Sequence, residues 1–539
     1  MPMRRSWRIA AIVLFVLALA LGGSLGDRLL AVTDETRDSL RLYTELVNLA
    51  HERYGADVSY KDLVYSSVNG MLRALDPHTA FLSPEAYEGM REKQQTSFYG
   101  LGILVGMRNG QLTVISPLEG TPASRLGIQA GDVISTIEGE STDQMTLDEA
   151  VSKLKGPKGT QVKITIVRRG LEQPLAMSVT RAEIPQTTVR QAYMLNPTTG
   201  YVQLTEFARG SGKEIADALE KLRKAGMKQL VLDLRNNGGG LLDQAIEIAD
   251  QFLPEGSTIV QTKGRTRDAF QSYKSSGKYP ALDVPVVVLV NEGTASASEI
   301  VSGALQDHDR ALIVGTPSWG KGLVQTVYNL SYGAGLALTT AKYYTPSGRL
   351  IQRDYSSYYD YYTHADAGSP EVNGRPVDEK DVFQTDLGRK VYGGGGITPD
   401  VVVKDEELNP FEQFLLARNA YLNFAVDYGS RNKVTAQWKP DEAKVLAEFG
   451  KWLVKEKLAT QEEVDKNLTQ EDVRDYSLLQ IRAELMNAVA GQEARHRTLS
   501  QGDVQLQEAL KLFDRAANMY AQRRELGPKV ERGTQTKGL

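Results

Sequence analysis

Three short, nearly continuous apolar runs constrain this chain more than anything else in it: 229–234, 284–290 and 311–314. Runs of this length and character read as buried strands. Helical spacing fills 212–224, 241–252 and 295–306, and 201–204 reads as a further strand. Buried strands alternating with helices form an α/β layer architecture, whose ligand sites lie beyond the carboxyl ends of the strands.

The chain before residue 199 follows other patterns. Over 34–95 the apolar positions recur at threes and fours (Leu42, Leu46, Ala50), as in helices. Leu75-Asp76-Pro77-His78-Thr79 breaks that spacing, and Ser83-Pro84-Glu85 reopens a helix. Residues 98–184 consist of short β-like runs separated by glycine turns, with one helix opened by the capping box Thr146-x-x-Glu149. Residues 354–395 carry Tyr355, Tyr358, Tyr359, Tyr361 and Tyr362 and read as a surface insertion. Beyond 405 the chain becomes helical, polar and poor in glycine.

Composition removes several function classes. None of the 539 residues is cysteine, which excludes disulfide scaffolds, thiolate metal sites and cysteine nucleophiles. The five histidines show no ligand spacing, so no metal or other cofactor is expected. A net charge of −4 provides no basic field for a nucleic-acid backbone. At the N-terminus, Arg4, Arg5 and Arg8 precede an uncharged run, 9–26, closed by Asp27. As a helix it would span about 27 Å, marginal for a ~30 Å hydrocarbon core. The basic flank stays cytoplasmic, so the remainder is expected to be exported to the periplasm. Residues 1–28 fit a signal peptide cleaved near Ala18-Leu19-Ala20, and they equally fit a retained inner-membrane anchor.

Candidate chemistry lies at three strand ends. Asp233-Leu234-Arg235-Asn236-Asn237-Gly238-Gly239-Gly240 leads from a strand into a helix, where outward N–H groups can hold an anion or a developing oxyanion; a plain tight turn is the rival reading. Thr294-Ala295-Ser296-Ala297-Ser298-Glu299 places a serine among small residues at a helix start, although Ser296-x-x-Glu299 is also a capping box. Gly315-x-x-x-x-Gly320-Lys321 resembles a phosphate-binding loop. It has Gly322 where a hydroxyl should hold magnesium, and a strand-like run where a helix should follow. A serine without a suitable histidine can use a desolvated, neutral lysine as its base, and Gln325 could hold that amine. Alone, Lys321 would read as an exposed lysine in a glycine turn. His308 is the rival base.

Together these residues resemble the carboxyl-terminal processing peptidases, or tail-specific proteases. The likeness runs over about 35–404 and includes Leu75–Thr79, Phe81-Leu82-Ser83-Pro84, Lys342-Tyr343-Tyr344-Thr345-Pro346 and Gly396-Ile397-Thr398-Pro399-Asp400. It implies a crotonase-like (ClpP-like) α/β protease core at 185–404, a helical segment at 29–97, an inserted β-rich PDZ domain at 98–184 and a C-terminal helical region at 405–539. Carried across, Ser296 is the nucleophile, Lys321 the general base and Gln325 the residue that orients it. The N–H groups of Gly239 and Ala297 would form the oxyanion hole. Gly100-Leu101-Gly102-Ile103 would receive a substrate's terminal carboxylate. Gly238 departs from the pattern, standing where the family often has proline. The implied activity is an exported serine endopeptidase that captures protein C-terminal tails and cleaves the chain behind them. A catalytically inactive PDZ module that only tethers tails is the alternative, and a nucleotide-dependent protein would need the hydroxyl missing at 322. The C-terminal helical region is open to three readings: a homo-oligomer contact, an adaptor dock or a solvated cap.

Overall fold

The computed structural model describes residues 34–527, except 95–96, 109, 119, 169–170, 186, 357–360, 363–380 and 439–440. The leader expected at 1–28 and most of the tyrosine-rich stretch lie outside the described residues. Among those described, no helix is long and apolar enough to cross a membrane.

The N-terminal segment contains α1 (Asp34–Arg53), α2 (Tyr60–Arg73), the short strand β1 (Ala80–Leu82) and α3 (Pro84–Lys93). Ser59 and Ser83 cap α2 and α3, each accepting a backbone N–H from the first turn. Next comes a β module: β2 (Ser97–Gly100), β3 (Ile103–Arg108), β4 (Gln111–Pro117), β5 (Val133–Ile137), α4 (Leu147–Leu154), β6 (Gln161–Val167), β7 (Leu175–Thr180) and β8 (Ala182–Pro185). Its main sheet runs β3-β4-β5-β6-β7, leaving β3 at an edge, and β2 pairs with β8 where the chain enters and leaves. The sequence-expected capping box opens α4: Thr146 Oγ1 accepts the Glu149 N–H at 3.3 Å, and Glu149 accepts the Thr146 N–H at 2.7 Å.

The α/β layer follows, with β9 (Val189–Met194), β10 (Thr199–Leu204), α5 (Ser211–Lys224), β11 (Gln229–Asp233), α6 (Leu242–Asp250), β12 (Thr258–Gly264), β13 (Gln271–Lys274), β14 (Val286–Val290), α7 (Ala297–Asp307), β15 (Ala311–Gly315), β16 (Leu323–Asn329), β17 (Gly335–Tyr344) and β18 (Val401–Val402). The central sheet has the order β9-β10-β11-β14-β15-β18, parallel except for the β9–β10 pair. Every residue of β14 and β15 is buried, because the sheet is covered on both faces. A second, antiparallel sheet, β1-β17-β12-β13 with β16 paired to β17, brings the N-terminal segment against the α/β layer.

The C-terminal region begins with α8 (Pro410–Ala417), α9 (Ala420–Arg431), α10 (Glu442–Lys455), α11 (Gln461–Asn467) and α12 (Glu471–Leu499), most of which pack around Phe424, Phe449 and Ile481. It ends in α13 (Val504–Lys511) and α14 (Phe513–Glu525). One face of the central sheet packs on α5, α6 and α7. The other face, with Tyr201, Val287 and Leu312, is covered by Leu506, Phe513 and Met519 from α13 and α14. These two helices are therefore a layer of the core and not a solvated cap. Phe513→Ala should accordingly cost about 3–5 kcal/mol, as a large-to-small change in a packed core does. Denaturant unfolding should show it as a lowered midpoint, whereas Val426→Ala at an exposed position should stay within about 0.5 kcal/mol of the parent.

Candidate active site

Ser296 stands between β14 and α7 with φ 56° and ψ −114°, a backbone conformation that residues other than glycine rarely adopt. The sharp turn leaves the side chain without a cap hydrogen bond and only half-buried. Neighbouring Ser298 is fully buried, and its hydroxyl donates to the Asn237 carbonyl at 2.8 Å. Only the first of the two serines is available for attack.

A buried carboxylate holds the strained turn. Glu299 accepts the Ser296 N–H at 2.7 Å, the returning half of the capping box. Its oxygens also accept the N–H groups of Gly320 and Lys321 at 2.7 and 2.9 Å, and the Ser318 hydroxyl at 2.5 Å. Four donors thus meet two carboxylate oxygens, enough to satisfy the ionised group. Burial nevertheless pushes the Glu299 pKa up, against the lowering effect of those four bonds. From the opposite side, the Tyr343 hydroxyl lies against the carbonyls of both Ser296 and Lys321. The Ser296 turn and the Lys321 loop are stapled through both their donors and their acceptors.

Lys321 is largely desolvated. Burial lowers its pKa, partly offset by the negative charges of Glu299 and Asp76. Its Nζ lies 3.5 Å from Gln325 Oε1, as the four-residue spacing suggested. The Gln325 amide nitrogen donates to the carbonyl of His78. The N–H groups of Gly320 and Lys321 are thus committed to Glu299, and β16 follows as a strand; a phosphate-binding loop has neither feature.

His308 does not reach this site. It caps the far end of α7, twelve residues from Ser296, and so lies about 18 Å along the axis from it. Both of its ring nitrogens are engaged, with Asp386 at 2.9 Å and the Thr258 carbonyl at 2.7 Å.

The glycine turn after β11 packs directly on Ser296. A Cβ on Gly239, where φ is +96°, would lie 2.8 Å from both Ser296 Cβ and the Ala297 nitrogen, so no other residue fits. This brings Gly239 and Ala297 together beside Ser296. The Gly239 N–H donates to Asn237 Oδ1 at 2.9 Å and would have to be shared with or released to an oxyanion. Gly238, by contrast, is exposed with open space where a Cβ would stand.

In the β module, Gly100 ends β2, and Leu101 and Gly102 turn the chain into β3 at Ile103. Leu101 is anchored in the module's core, and the Gly102 carbonyl accepts the Leu118 N–H at 2.9 Å. Gly102 has φ +77°, and a Cβ there would collide with Thr121 at 2.2 Å. Half-buried Ile103 and Val105 on edge strand β3, with Leu147 on α4, offer the apolar lining for an added strand.

Two residues outside the sequence-derived set belong here. Glu299 was legible only as a capping partner. His78, on the turn before β1, arrives from the N-terminal segment; the Leu75–Thr79 run stood out in the sequence, but nothing in it pointed to a place beside Lys321. Within the tyrosine-rich stretch, read as a surface insertion, Tyr361 departs from that reading while Asp354, Ser356 and Tyr362 are exposed. Tyr361 is fully buried, its hydroxyl 2.6 Å from His78 Nε2 and within reach of the Trp319 indole N–H at 3.3 Å.

A family model described as Peptidase family S41 matches residues 198–356, and one described as a PDZ domain matches residues 113–168. The carboxy-terminal-processing protease of Bartonella bacilliformis is 39% identical over 352 residues, covering 64% of this chain and 80% of that protein. The carboxyl-terminal-processing protease of Synechocystis sp. is 38% identical over 373 residues, 65% of this chain and 86% of that protein. For the carboxy-terminal processing protease CtpA of Bacillus subtilis the values are 34% over 353 residues, 64% and 73%.

If Glu299 sets the geometry, Glu299→Gln should lower both thermal stability and the rate at which a serine-directed reagent labels Ser296. Two of the four donors would then face an amide NH2, each at about 1–3 kcal/mol. Ser318→Ala removes one donor and should be milder in both measurements.

Proposed function

The chain belongs to peptidase family S41, the carboxy-terminal processing proteases, and on that footing we propose an exported endopeptidase that holds protein C-terminal tails in its PDZ groove and cleaves by a Ser/Lys mechanism. One observation carries the reading: Glu299 ties the backbone of Ser296 to that of Lys321 while burial depresses the lysine pKa. We assign the α/β layer to the crotonase-like (ClpP-like) class and export to the leader at 1–28. The C-terminal helical region is open to self-association or an adaptor.

In this mechanism Ser296 Oγ attacks the scissile carbonyl carbon as neutral Lys321 takes its proton. The carbonyl oxygen becomes an oxyanion facing the N–H groups of Ala297 and Gly239. The Lys321 ammonium then protonates the leaving amine, and the peptide bond breaks to give an ester on Ser296. Water, deprotonated by the again neutral lysine, hydrolyses that ester and frees the serine. Gln325 keeps the amine in place throughout. On the PDZ side, the free edge of β3 can pair with an extended tail whose carboxylate meets the N–H groups of the 100–103 loop.

A tethering module without catalysis would need no buried lysine locked to a strained serine turn. Cleavage of an unfolded protein without added nucleotide or metal distinguishes the two. Ser296→Ala should abolish it while costing at most about 1 kcal/mol of stability; normal cleavage by that variant would sink the nucleophile assignment. The rate should also fall with decreasing pH through a pKa below the ordinary lysine value of 10.5, because the ammonium form cannot accept the serine proton. Lys321→Arg, which stays charged, should be inactive across the range.

Tail capture has its own test. Amidating the substrate's C-terminal carboxylate should raise KM for weakly bound substrates and leave kcat little changed. Equal KM for amidated and free-acid tails would remove the 100–103 loop from recognition.

A further inference from the structure

The Gln325 side chain joins the base to a segment that lies outside the protease core in sequence. Its Oε1 faces Lys321 Nζ at 3.5 Å, and its amide nitrogen donates to the His78 carbonyl. An amide oxygen only accepts and an amide NH2 only donates. Since the distant partner is a carbonyl, the NH2 must face it, which leaves the oxygen toward the lysine. For a neutral amine this choice decides function. Oε1 can accept a lysine N–H and leave the nitrogen lone pair free for the serine proton. A reversed amide would donate into that lone pair and occupy it.

The selecting carbonyl is itself firmly held. Asp76, 8% exposed, accepts the N–H groups of His78 and Thr79 at 2.8 Å each, and the Thr79 hydroxyl at 2.6 Å. Thr79 Oγ1 in turn accepts the Thr339 N–H at 3.1 Å, and β1 pairs with β17 immediately afterwards, Ala80 opposite Ala337. On the imidazole side, His78 meets buried Tyr361 edge-on with ring centroids 5.5 Å apart, and Tyr361 meets Trp319, the residue before Gly320. Burial, with the nearby Lys321 charge, holds the His78 pKa down to about 4, so the ring stays neutral near pH 7.

We propose that Asp76 and His78 are positioning residues of the active site: their turn presents the carbonyl that selects the productive orientation of the Gln325 amide, so the base is complete only when the N-terminal segment is docked on β17. The proposal rests on the Ser/Lys reading above. It makes the turn between α2 and β1 part of the catalytic assembly, and it gives the buried tyrosine of the insertion a place in the wall beside the lysine.

The test is a double-mutant cycle on Ser296 acylation, read as the single-turnover rate with a serine-directed reagent in the full chain. Asp76→Ala and Gln325→Ala should each slow acylation on the order of 10²-fold, the loss typical of a misplaced reacting group. The double variant should be no slower than Gln325→Ala, since both act through one amide. Asp76→Asn keeps the oxygen that holds two N–H groups and should recover part of the rate. If Asp76→Ala fails to fold, Thr79→Val takes its place, with a smaller but equally non-multiplying loss expected.

A pH profile adds a readout that a merely structural role would leave unmoved. The charged and titratable groups around the amine are Glu299, Asp76 and His78, with Tyr343, Tyr361 and Arg353 behind them. His78→Ala admits water to Lys321 and should move the acid limb to higher pH, while Lys321→Ala removes that limb together with the activity. Losses that multiply in the double variant, or an acid limb unmoved by His78→Ala, would overturn the proposal. Activity surviving in Lys321→Ala would instead strike down the Ser/Lys reading itself.

Discussion

The site depends on one buried carboxylate. Glu299 has no solvent to stabilise its charge, so its four donors must stay in place: the backbone N–H groups of Ser296, Gly320 and Lys321 and the Ser318 hydroxyl. An unmet buried charge is far costlier than a strained dihedral, which is why Ser296 can be kept at φ 56°. Tyr343 closes the arrangement from β17, its hydroxyl between the Ser296 and Lys321 carbonyls. Ser296 and Lys321 come from loops after different strands, yet they share a single rigid support.

The glycine turn after β11 is secured with comparable economy from another direction. Arg235, at the exit of β11, pairs with Asp233 at 2.7 Å and with Asp503 at 2.6 Å, and Gln505 accepts a further bond at 3.0 Å. Asp503 also caps α13, accepting the Leu506 N–H at 2.9 Å. The helices that cover the second face of the sheet therefore grip the residue next to Asn236 and Asn237. Loss of one partner from such a buried pair leaves a stranded charge, so docking of the last helices and the shape of the glycine turn after β11 are coupled.

Much of this was legible in the sequence, and the reasons are local. The apolar runs of β14 and β15 announced buried strands, the small residues after Val290 announced a close approach, and the Lys321–Gln325 spacing announced a contact. The Gly315–Lys321 run failed as a phosphate loop on the sequence alone, and the fold supplied the second reason by committing its N–H groups to Glu299. Where the sequence reading missed, a partner came from afar. The capping box at Ser296 was visible, but the bond from Glu299 to Ser318, 19 residues on, was not. His308 looked like a rival base only because distance along the chain hid that it sits at the other end of a helix.

The sequence by itself determined the α/β layering, the strand ends that bear Ser296 and Lys321, and the β module with its glycine loop, because periodicity and turn chemistry act over a few residues. Only the tertiary structure decided that Gln325 would meet the His78 carbonyl across 247 residues, that Tyr361 would be buried against that histidine, and that α13 and α14 would cover the central sheet. Such contacts join groups whose polarity and shape match wherever they lie in the chain, and complementarity of that kind leaves no spacing in the sequence to read.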